Sequence, residues 1–219
     1  SKSNHNKHNA MNQIAEISYV QSTDPWLKRK VVNVVELATG RKKITNIYKQ
    51  LKKEPFQIPK FFSKGIQLGQ LSLKYNQEME LEIPKDGPLV FVANHPFGII
   101  DGLILCSLIS KQRDDFKIIT HETLQFLPQL EKFILPIDFG NNNKKLIKNN
   151  IKTALKAKEH LLINKGVIII FPSGSVSTAK TLKSIAKDDD WKLFPAKLIH
   201  QTKANVIPVY FDGKNGFLF

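Results

Sequence analysis

Cysteine is almost absent from this 219-residue chain, which contains Cys106 alone. A single thiol excludes an intrachain disulfide, and the sequence favours a reducing compartment. The histidines are scattered without the spacing of metal ligands, so no metal site is predicted. Long apolar runs are lacking too, because no window approaches the roughly 18 apolar residues of a spanning helix, and no signal peptide is evident. Any attachment to a membrane is therefore expected to be peripheral.

Acidic residues are also few, since 33 Lys and Arg stand against 19 Asp and Glu, a net charge of +14. Residues 1–62 carry a local net charge of +8 and residues 144–165 one of +6. Such an excess predicts an anionic partner or surface, although solvated lysines that only keep the chain soluble would give the same composition. The basic stretches lack interleaved aromatic residues and a recognised nucleic-acid-binding motif, so a nucleic acid partner is not expected.

An imidazole and a carboxylate lie close together within the segment of residues 88–102. The apolar run at 88–93 predicts a buried strand, and a turn with proline and glycine leads into an apolar helix at 103–109. His95 thus follows the carboxyl end of a strand, where α/β folds place ligands. If Asp101 accepts a hydrogen bond from one ring nitrogen, the other nitrogen is left as a general base. On its own, the same pair also fits a loop that is merely held together.

Three further segments follow this one along the chain. They are residues 134–138 (Ile-Leu-Pro-Ile-Asp), 171–177 (Phe-Pro-Ser-Gly-Ser-Val-Ser) and 206–215 (Val-Ile-Pro-Val-Tyr-Phe-Asp-Gly-Lys-Asn). With the first segment they resemble the four sequence blocks of the lysophosphatidic acid (glycerolipid) acyltransferase superfamily. The resemblance covers residues 25–219 and is closest to a bacterial hemolysin-like branch that includes lyso-ornithine lipid acyltransferases. Five residues, where the superfamily usually has four, separate His95 from Asp101, a spacing similar to that of this branch.

The resemblance implies a catalytic dyad in which His95 deprotonates a hydroxyl and Asp101 orients the imidazole. It further implies direct transfer of a fatty acyl group from acyl-CoA or acyl carrier protein to the hydroxyl of a lyso-lipid, without an acyl-enzyme and without a cofactor. We expect this chemistry in membrane lipid biosynthesis, at the anionic cytoplasmic face of the inner membrane. Residues expected to contact substrate lie in three of the blocks: Asn94, Phe97, Gly98, Phe171, Pro172, Ser173, Gly174, Ser175 and Pro208.

The third block departs from the usual superfamily pattern at two positions. Where that pattern has an acidic residue before the glycine and an arginine two residues after it, this chain has Ser173 and Val176. Since a guanidinium suits bidentate phosphate recognition, the missing arginine favours an acceptor other than lysophosphatidic acid, such as a lyso-ornithine lipid. A lysine from elsewhere in the chain is the alternative. The backbone amides at 173–175 are candidate donors to the oxyanion, unless the segment is only a tight turn.

Two other functions stay open from the sequence. Ser173 or Ser175 could be the nucleophile of a serine esterase, but the Gly-x-Ser-x-Gly elbow of such enzymes is absent. A peripheral lipid-binding protein with little turnover would keep the same fold. The presence of both His95 and Asp101 argues against that second function.

The apolar pattern predicts an α/β domain with a central, largely parallel or mixed sheet, preceded by an N-terminal helical hairpin. The predicted strands are 71–75, 79–83, 88–93, 117–121, 133–137, 167–171 and 205–211, and the predicted helices are 25–40, 44–51, 103–109, 122–130, 144–163 and 191–202. We divide the chain into a mobile end (1–24), the basic hairpin (25–62) and the acyltransferase domain (63–219), which further C-terminal sequence would extend.

The hairpin has two interpretations. It is either a lid on the core or an interfacial membrane anchor. Phe56, Phe61 and Phe62, flanked by Lys60 and Lys64, would support the anchor if they were exposed.

Overall fold

The computed structural model describes residues 41–53, 55–121, 128–137, 144–178 and 186–213. Its helices are α1 (Arg41–Leu51), α2 (Lys60–Leu68), α3 (Gln77–Leu81), α4 (Ile99–Ile109), α5 (Lys144–Leu162) and α6 (Leu193–Thr202), and a 3-10 turn spans Glu131–Phe133. Its strands are β1 (Leu89–Ala93), β2 (Phe116–His121), β3 (Ile134–Ile137), β4 (Val167–Ile170) and β5 (Asn205–Val209). Outside the described residues lie the predicted mobile end (1–24), the helix predicted at 25–40, Asp138 of the second block and most of the helix predicted at 122–130.

The five strands form one sheet in the order β3-β2-β4-β1-β5, and every pairing is parallel. The predicted α/β class with a largely parallel sheet is confirmed. Strand β1 lies between β4 and β5 and is buried along its whole length, as expected of an apolar strand covered on both faces. Because the strands are parallel, their carboxyl ends share one edge of the sheet. The first, third and fourth sequence blocks therefore meet at that edge.

Two apolar clusters fill the space on the two faces of the sheet. Helices α1, α2 and α4 contribute to one cluster, and α5 and α6 contribute to the other. Phe62 of α2 makes edge-to-face contacts with Phe116 and Phe133, with ring centroids 5.6 and 5.8 Å apart. Phe61 is buried as well, and Phe56 is half-buried beside it. These phenylalanines would have supported a membrane anchor only if they were exposed; because they form part of the core, that condition is not met.

The region between α2 and β1 differs from the sequence prediction. Residues 71–76 have no regular structure and residues 77–81 are helical, where two strands were predicted at 71–75 and 79–83. The Asn76 side chain accepts a hydrogen bond from the Glu78 N–H at 3.0 Å and caps α3. Acidic residues in the first turn also favour a helix through its dipole. Three alternating apolar residues were too short a pattern to exclude this outcome.

The predicted boundary at residue 62 stays a prediction. Helix α2 runs across that position, and a Cβ added at Gly65 would lie 3.1 Å from the Leu103 side chain of α4. Such a close approach indicates that α2 packs directly on α4. In the described part of the chain, α2 therefore belongs to the same core as the sheet.

Candidate active site

His95 and Asp101 are in direct contact at the carboxyl edge of the sheet. The Nδ1 atom of His95 lies 2.9 Å from Oδ2 of Asp101. His95 follows β1 by two residues, and Gly98, with a φ of +66°, turns the chain into α4 so that the first turn of this helix carries Asp101 beneath the imidazole. That backbone conformation favours glycine, which explains the residue type at this turn. The sequence placed both residues correctly at the junction of a strand and a helix.

The hydrogen bond to Asp101 determines which ring nitrogen of His95 is left for chemistry. A carboxylate accepts, so Nδ1 carries the proton of a neutral imidazole and Nε2 has the lone pair. Among the described residues Nε2 has no hydrogen-bond partner, and the His95 side chain is 18% exposed whereas that of Asp101 is fully buried. The imidazole is thus oriented from below and open to a substrate proton, the arrangement of a general base.

Burial raises the pKa of the Asp101 carboxyl, and hydrogen bonds from the His95 ring and the Phe97 N–H oppose that rise. The Phe97 N–H donates to Oδ2 with an N···O distance of 2.9 Å. Oδ1 is buried without a hydrogen bond to any described residue. A buried carboxylate that lacks a partner for one oxygen is stabilised when a positive charge forms beside it. Proton uptake by His95 supplies that charge.

Phe171 holds one face of the imidazole. Its ring stacks on His95 with centroids 4.0 Å apart and an angle of 23° between the planes. Phe171 comes directly after β4 and is buried, so it is fixed by the neighbouring strand of the sheet. The sequence predicted substrate contact for Phe171, and the structure shows that its aromatic ring restrains the histidine.

The serines of the third block are engaged with each other and with the loop that follows. The buried Ser173 hydroxyl donates to the Ser175 carbonyl at 2.8 Å, and the Ser175 hydroxyl donates to Asp189 at 2.7 Å. Neither hydroxyl makes a hydrogen bond to His95 among the described residues, so the structure gives no support to a serine nucleophile.

The amide of Gly174 donates to the Phe171 carbonyl at 3.0 Å and closes a turn at a φ of +72°. The amides of Ser173 and Ser175 make no hydrogen bond to another described residue. They are the donors of this turn left for an oxyanion. Buried Pro172 joins the turn to β4, and its carbonyl accepts the Lys192 N–H at 2.9 Å.

Asp188 links the third block to His95. Its Oδ1 accepts the backbone N–H of His95 at 3.1 Å and the hydroxyl of Ser177, and its Oδ2 accepts the Trp191 indole N–H at 3.0 Å. The Ser177 N–H in turn donates to the His95 carbonyl at 2.8 Å. Asp188 was not among the site residues predicted from the sequence. Its position within an Asp-Asp-Asp-Trp run soon after the third block was the available signal.

Asn94 and Pro208, two further residues predicted to contact substrate, lie where β1 and β5 are neighbours. Asn94 donates to the Phe211 carbonyl at 2.9 Å and accepts the Phe211 N–H at 2.7 Å, so its amide joins the ends of β1 and β5. Pro208 is exposed on the edge strand β5, in register with Val92. A proline is tolerated there because an edge strand has one unpaired side.

Two glycine contacts close the turn around the dyad. A Cβ at Gly98 would lie 3.5 Å from Val176 of the third block. A Cβ at Gly213 would lie 2.8 Å from the Phe97 ring, so the fourth block packs against the first. Each substrate-contacting role assigned from the sequence stays a prediction.

A histidine–carboxylate pair at the carboxyl edge of a parallel sheet lies where α/β folds bind ligands, and its geometry suits a general base. A sequence model of the acyltransferase family matches residues 74–212. The chain belongs to this family, and the resemblance to the glycerolipid acyltransferase superfamily is confirmed.

Two curated relatives are similar to the chain over 139 residues. One is a lyso-glycine lipid O-acyltransferase of Bacteroides thetaiotaomicron, 29% identical over 63% of this chain and 47% of the relative. The other, of the same name from Phocaeicola vulgatus, is 27% identical over 63% of this chain and 46% of the relative. The matched region thus spans about half the length of these relatives.

Proposed function

We propose that this protein is an O-acyltransferase that moves a fatty acyl group from an acyl thioester to the hydroxyl of a lyso-lipid. The observation that carries the proposal is the 2.9 Å contact between His95 Nδ1 and Asp101, which leaves Nε2 without a hydrogen-bond partner among the described residues, at the carboxyl edge of an acyltransferase-family sheet. Membership of the family supports the reaction type. The names of the two relatives support an oxygen acceptor on a lyso-lipid.

The reaction proceeds by direct transfer. Nε2 of His95 takes the proton of the acceptor hydroxyl as its oxygen attacks the thioester carbonyl, and a tetrahedral oxyanion forms. The intermediate collapses with cleavage of the carbon–sulfur bond, and the imidazolium returns the proton to the departing thiolate. The products are the acylated lipid and a free thiol, which is that of coenzyme A or of acyl carrier protein. Asp101 orients His95 and offsets its transient positive charge.

The acceptor is proposed to be a lyso-lipid whose head group is an amino acid. The third block, residues 171–177, contains no basic residue, and the hydroxyls of Ser173 and Ser175 are already engaged at 2.8 and 2.7 Å. It therefore offers no cation to a phosphate ester. Lyso-glycine lipid, the acceptor in the relatives' names, is the first choice, and lyso-ornithine lipid is the second.

Attachment to the cytoplasmic face of the inner membrane is part of the same proposal, because acceptor lipids reside in a bilayer. None of the helices in the described ranges is both long enough and apolar enough to cross a membrane. The net charge of +14 suits an anionic surface and an anionic donor.

The test is release of free thiol from acyl-CoA and from acyl carrier protein, with lyso-glycine lipid, lyso-ornithine lipid and lysophosphatidic acid as acceptors. We expect acceptor-dependent release by the wild type, and a loss of about 10²- to 10⁴-fold in His95→Ala. His200→Ala is the matched control, because His200 is exposed on α6. Release that is equal in the wild type and His95→Ala would contradict the proposal and favour a lipid-binding protein without turnover.

A further inference from the structure

Helix α5 has a second apolar face that the described structure leaves uncovered. Its inward side buries Thr153, Ala157, His160 and Leu161 against the sheet. A stripe of four large apolar side chains lies on the opposite side with exposures of 37–63%: Ile147, Ile151, Leu155 and Leu162. Three of them recur at four-residue steps and so form one continuous row. A helix on a soluble surface normally presents polar residues there.

Lysines accompany this stripe. The sequence of α5 contains six lysines and one glutamate. Lys148, Lys152 and Lys156 follow the apolar row at the same four-residue step, displaced by one position, so a cationic row runs beside the apolar one. All three lysines are exposed. The outward face of α5 therefore combines apolar side chains with positive charge along about two-thirds of its length.

An anionic lipid bilayer has the chemistry that this face matches. Apolar side chains enter the boundary between head groups and acyl chains, while lysines pair with anionic head groups. A second copy of the chain fits less well, because pairing two such faces would bring lysine rows of the same sign together in proteins that each carry +14. Phe61 and Phe62 are buried in the core and are not available to a bilayer.

We infer that the outward face of α5 is the surface by which this protein docks on an anionic membrane. This inference rests on the proposed function, because docking would serve to bring the enzyme to a lipid acceptor that lies in the membrane. Helix α5 connects β3 to β4 in a parallel sheet, so it begins at the edge where His95 lies and runs back along the sheet. Docking through the outward face therefore keeps the Lys144 end of α5, and the sheet edge beside it, close to the bilayer surface.

The experiment measures binding of the 219-residue protein to vesicles by co-sedimentation, with no donor or acceptor present. Vesicles of phosphatidylcholine alone are compared with vesicles that also contain phosphatidylglycerol. We expect binding to require the anionic lipid, and Leu155→Gln to weaken it at least about fivefold. Leu81→Gln is the matched control, because Leu81 is a leucine of similar exposure on α3 and should bind as the wild type does.

A second pair of variants tests the charge. Lys152→Gln is expected to weaken binding by about fivefold, the change for one lysine near an anionic surface. Lys197→Gln on α6 should leave binding within about twofold of the wild type. Circular dichroism checks that each variant is folded, and these exposed substitutions should not alter it.

Several outcomes would overturn the inference. One is equal binding by the wild type and both α5 variants, and another is equal binding to neutral and anionic vesicles. A third is a variant that changes the elution volume in gel filtration but keeps its vesicle affinity, which would assign the face to a contact between copies of the chain.

Thiol release with the acceptor in detergent micelles separates membrane docking from catalysis. Loss of vesicle binding with unchanged micellar activity supports docking, whereas absent activity with intact binding counts only against the proposed reaction.

Discussion

The carboxylate of Asp188 accepts the backbone N–H of His95 at 3.1 Å, although 93 positions separate the two residues in the chain. The same oxygen receives the Ser177 hydroxyl, and the Ser177 N–H donates to the His95 carbonyl at 2.8 Å. The backbone of His95 is thus held on both sides by one closed set of hydrogen bonds. Asp101 thus fixes the orientation of the His95 ring, and Asp188 fixes the position of the His95 backbone.

Removal of this carboxylate should slow catalysis more than it weakens substrate binding. In Asp188→Ala the N–H of His95, the hydroxyl of Ser177 and the indole of Trp191 lose their acceptor together. We expect kcat to fall by roughly 10²-fold, the scale of a catalytic group displaced by about 1 Å, with little change in KM. The free energy of unfolding should fall by about 1–3 kcal/mol. Steady-state thiol release and urea unfolding measure the two effects.

Asp190→Ala is the control for Asp188→Ala, because Asp190 is exposed and belongs to the same acidic run. It should leave both kcat and stability near wild-type values. A loss of stability in Asp188→Ala with an unchanged kcat would mean that the carboxylate supports only the fold. Equal losses in the two alanine variants would assign the effect to the charge of the run.

The buried carboxyl of Asp101 should make stability depend on pH. Burial raises its pKa in the folded chain above the ordinary value, so between these two values the folded state binds more protons than the unfolded state. Its stabilising contribution is complete below the unfolded pKa and is lost as the pH rises through the folded pKa. Wild type should therefore lose stability relative to Asp101→Asn across that window, by about 1.4 kcal/mol for each unit by which the pKa is raised.

Urea unfolding of both proteins at a series of pH values measures this difference. Asp190→Asn, which removes an exposed carboxylate, should run parallel to the wild type. Asp101→Asn should also lose most of its thiol release at every pH, because an amide cannot offset the charge on His95. A constant stability difference between wild type and Asp101→Asn would show that the folded chain leaves this carboxyl at its ordinary pKa.

Secondary structure could be predicted from the sequence where a local pattern of apolar residues determines it. The run of apolar residues before His95 predicted β1, and the basic amphipathic pattern of 144–163 predicted α5 almost to its ends. The region before β1 was predicted wrongly, because one side-chain cap at Asn76 outweighed a short alternation. A helix cap and a short alternating pattern favour different structures by similar free energies, so the sequence alone does not show which one prevails.

The geometry around the dyad was only partly predictable. The pairing of His95 with Asp101 follows from a strand, a turn and a helix that are adjacent in sequence. The role of Asp188 depends instead on where residues 186–192 return to the sheet edge, which no local pattern encodes. The stacking of Phe171 on His95 likewise requires β1 and β4 to be neighbours. Both contacts depend on which strands are neighbours in the sheet, so they could not be predicted before the fold was known.

Gly98 should be required for activity beyond its contribution to stability. Its φ of +66° at the start of α4 places Asp101 beneath His95, and an alanine there is strained and faces Val176 at 3.5 Å. Gly98→Ala should lose about 1–3 kcal/mol of stability and more than tenfold in kcat. Gly87→Ala is the matched control, because Gly87 also has a positive φ, of +81°, but nothing lies within 4 Å of an added Cβ. It should lose stability but keep its kcat, and an equal loss of kcat in both variants would contradict a specific role for Gly98.

Acceptor choice should change when a cation is placed in the third block. Val176 is half-buried, its side chain lies beside the dyad turn at Gly98, and the superfamily usually has arginine at this position. In Val176→Arg a guanidinium would provide a bidentate phosphate contact that the third block of the wild type does not offer. We expect kcat/KM for lysophosphatidic acid to rise by roughly tenfold relative to lyso-glycine lipid, as one charge-assisted hydrogen-bonded pair would give. Thr178→Arg adds the same charge at an exposed position two residues further on and should leave this ratio unchanged. A ratio that stays at the wild-type value in a folded Val176→Arg would show that the acceptor head group does not reach the third block.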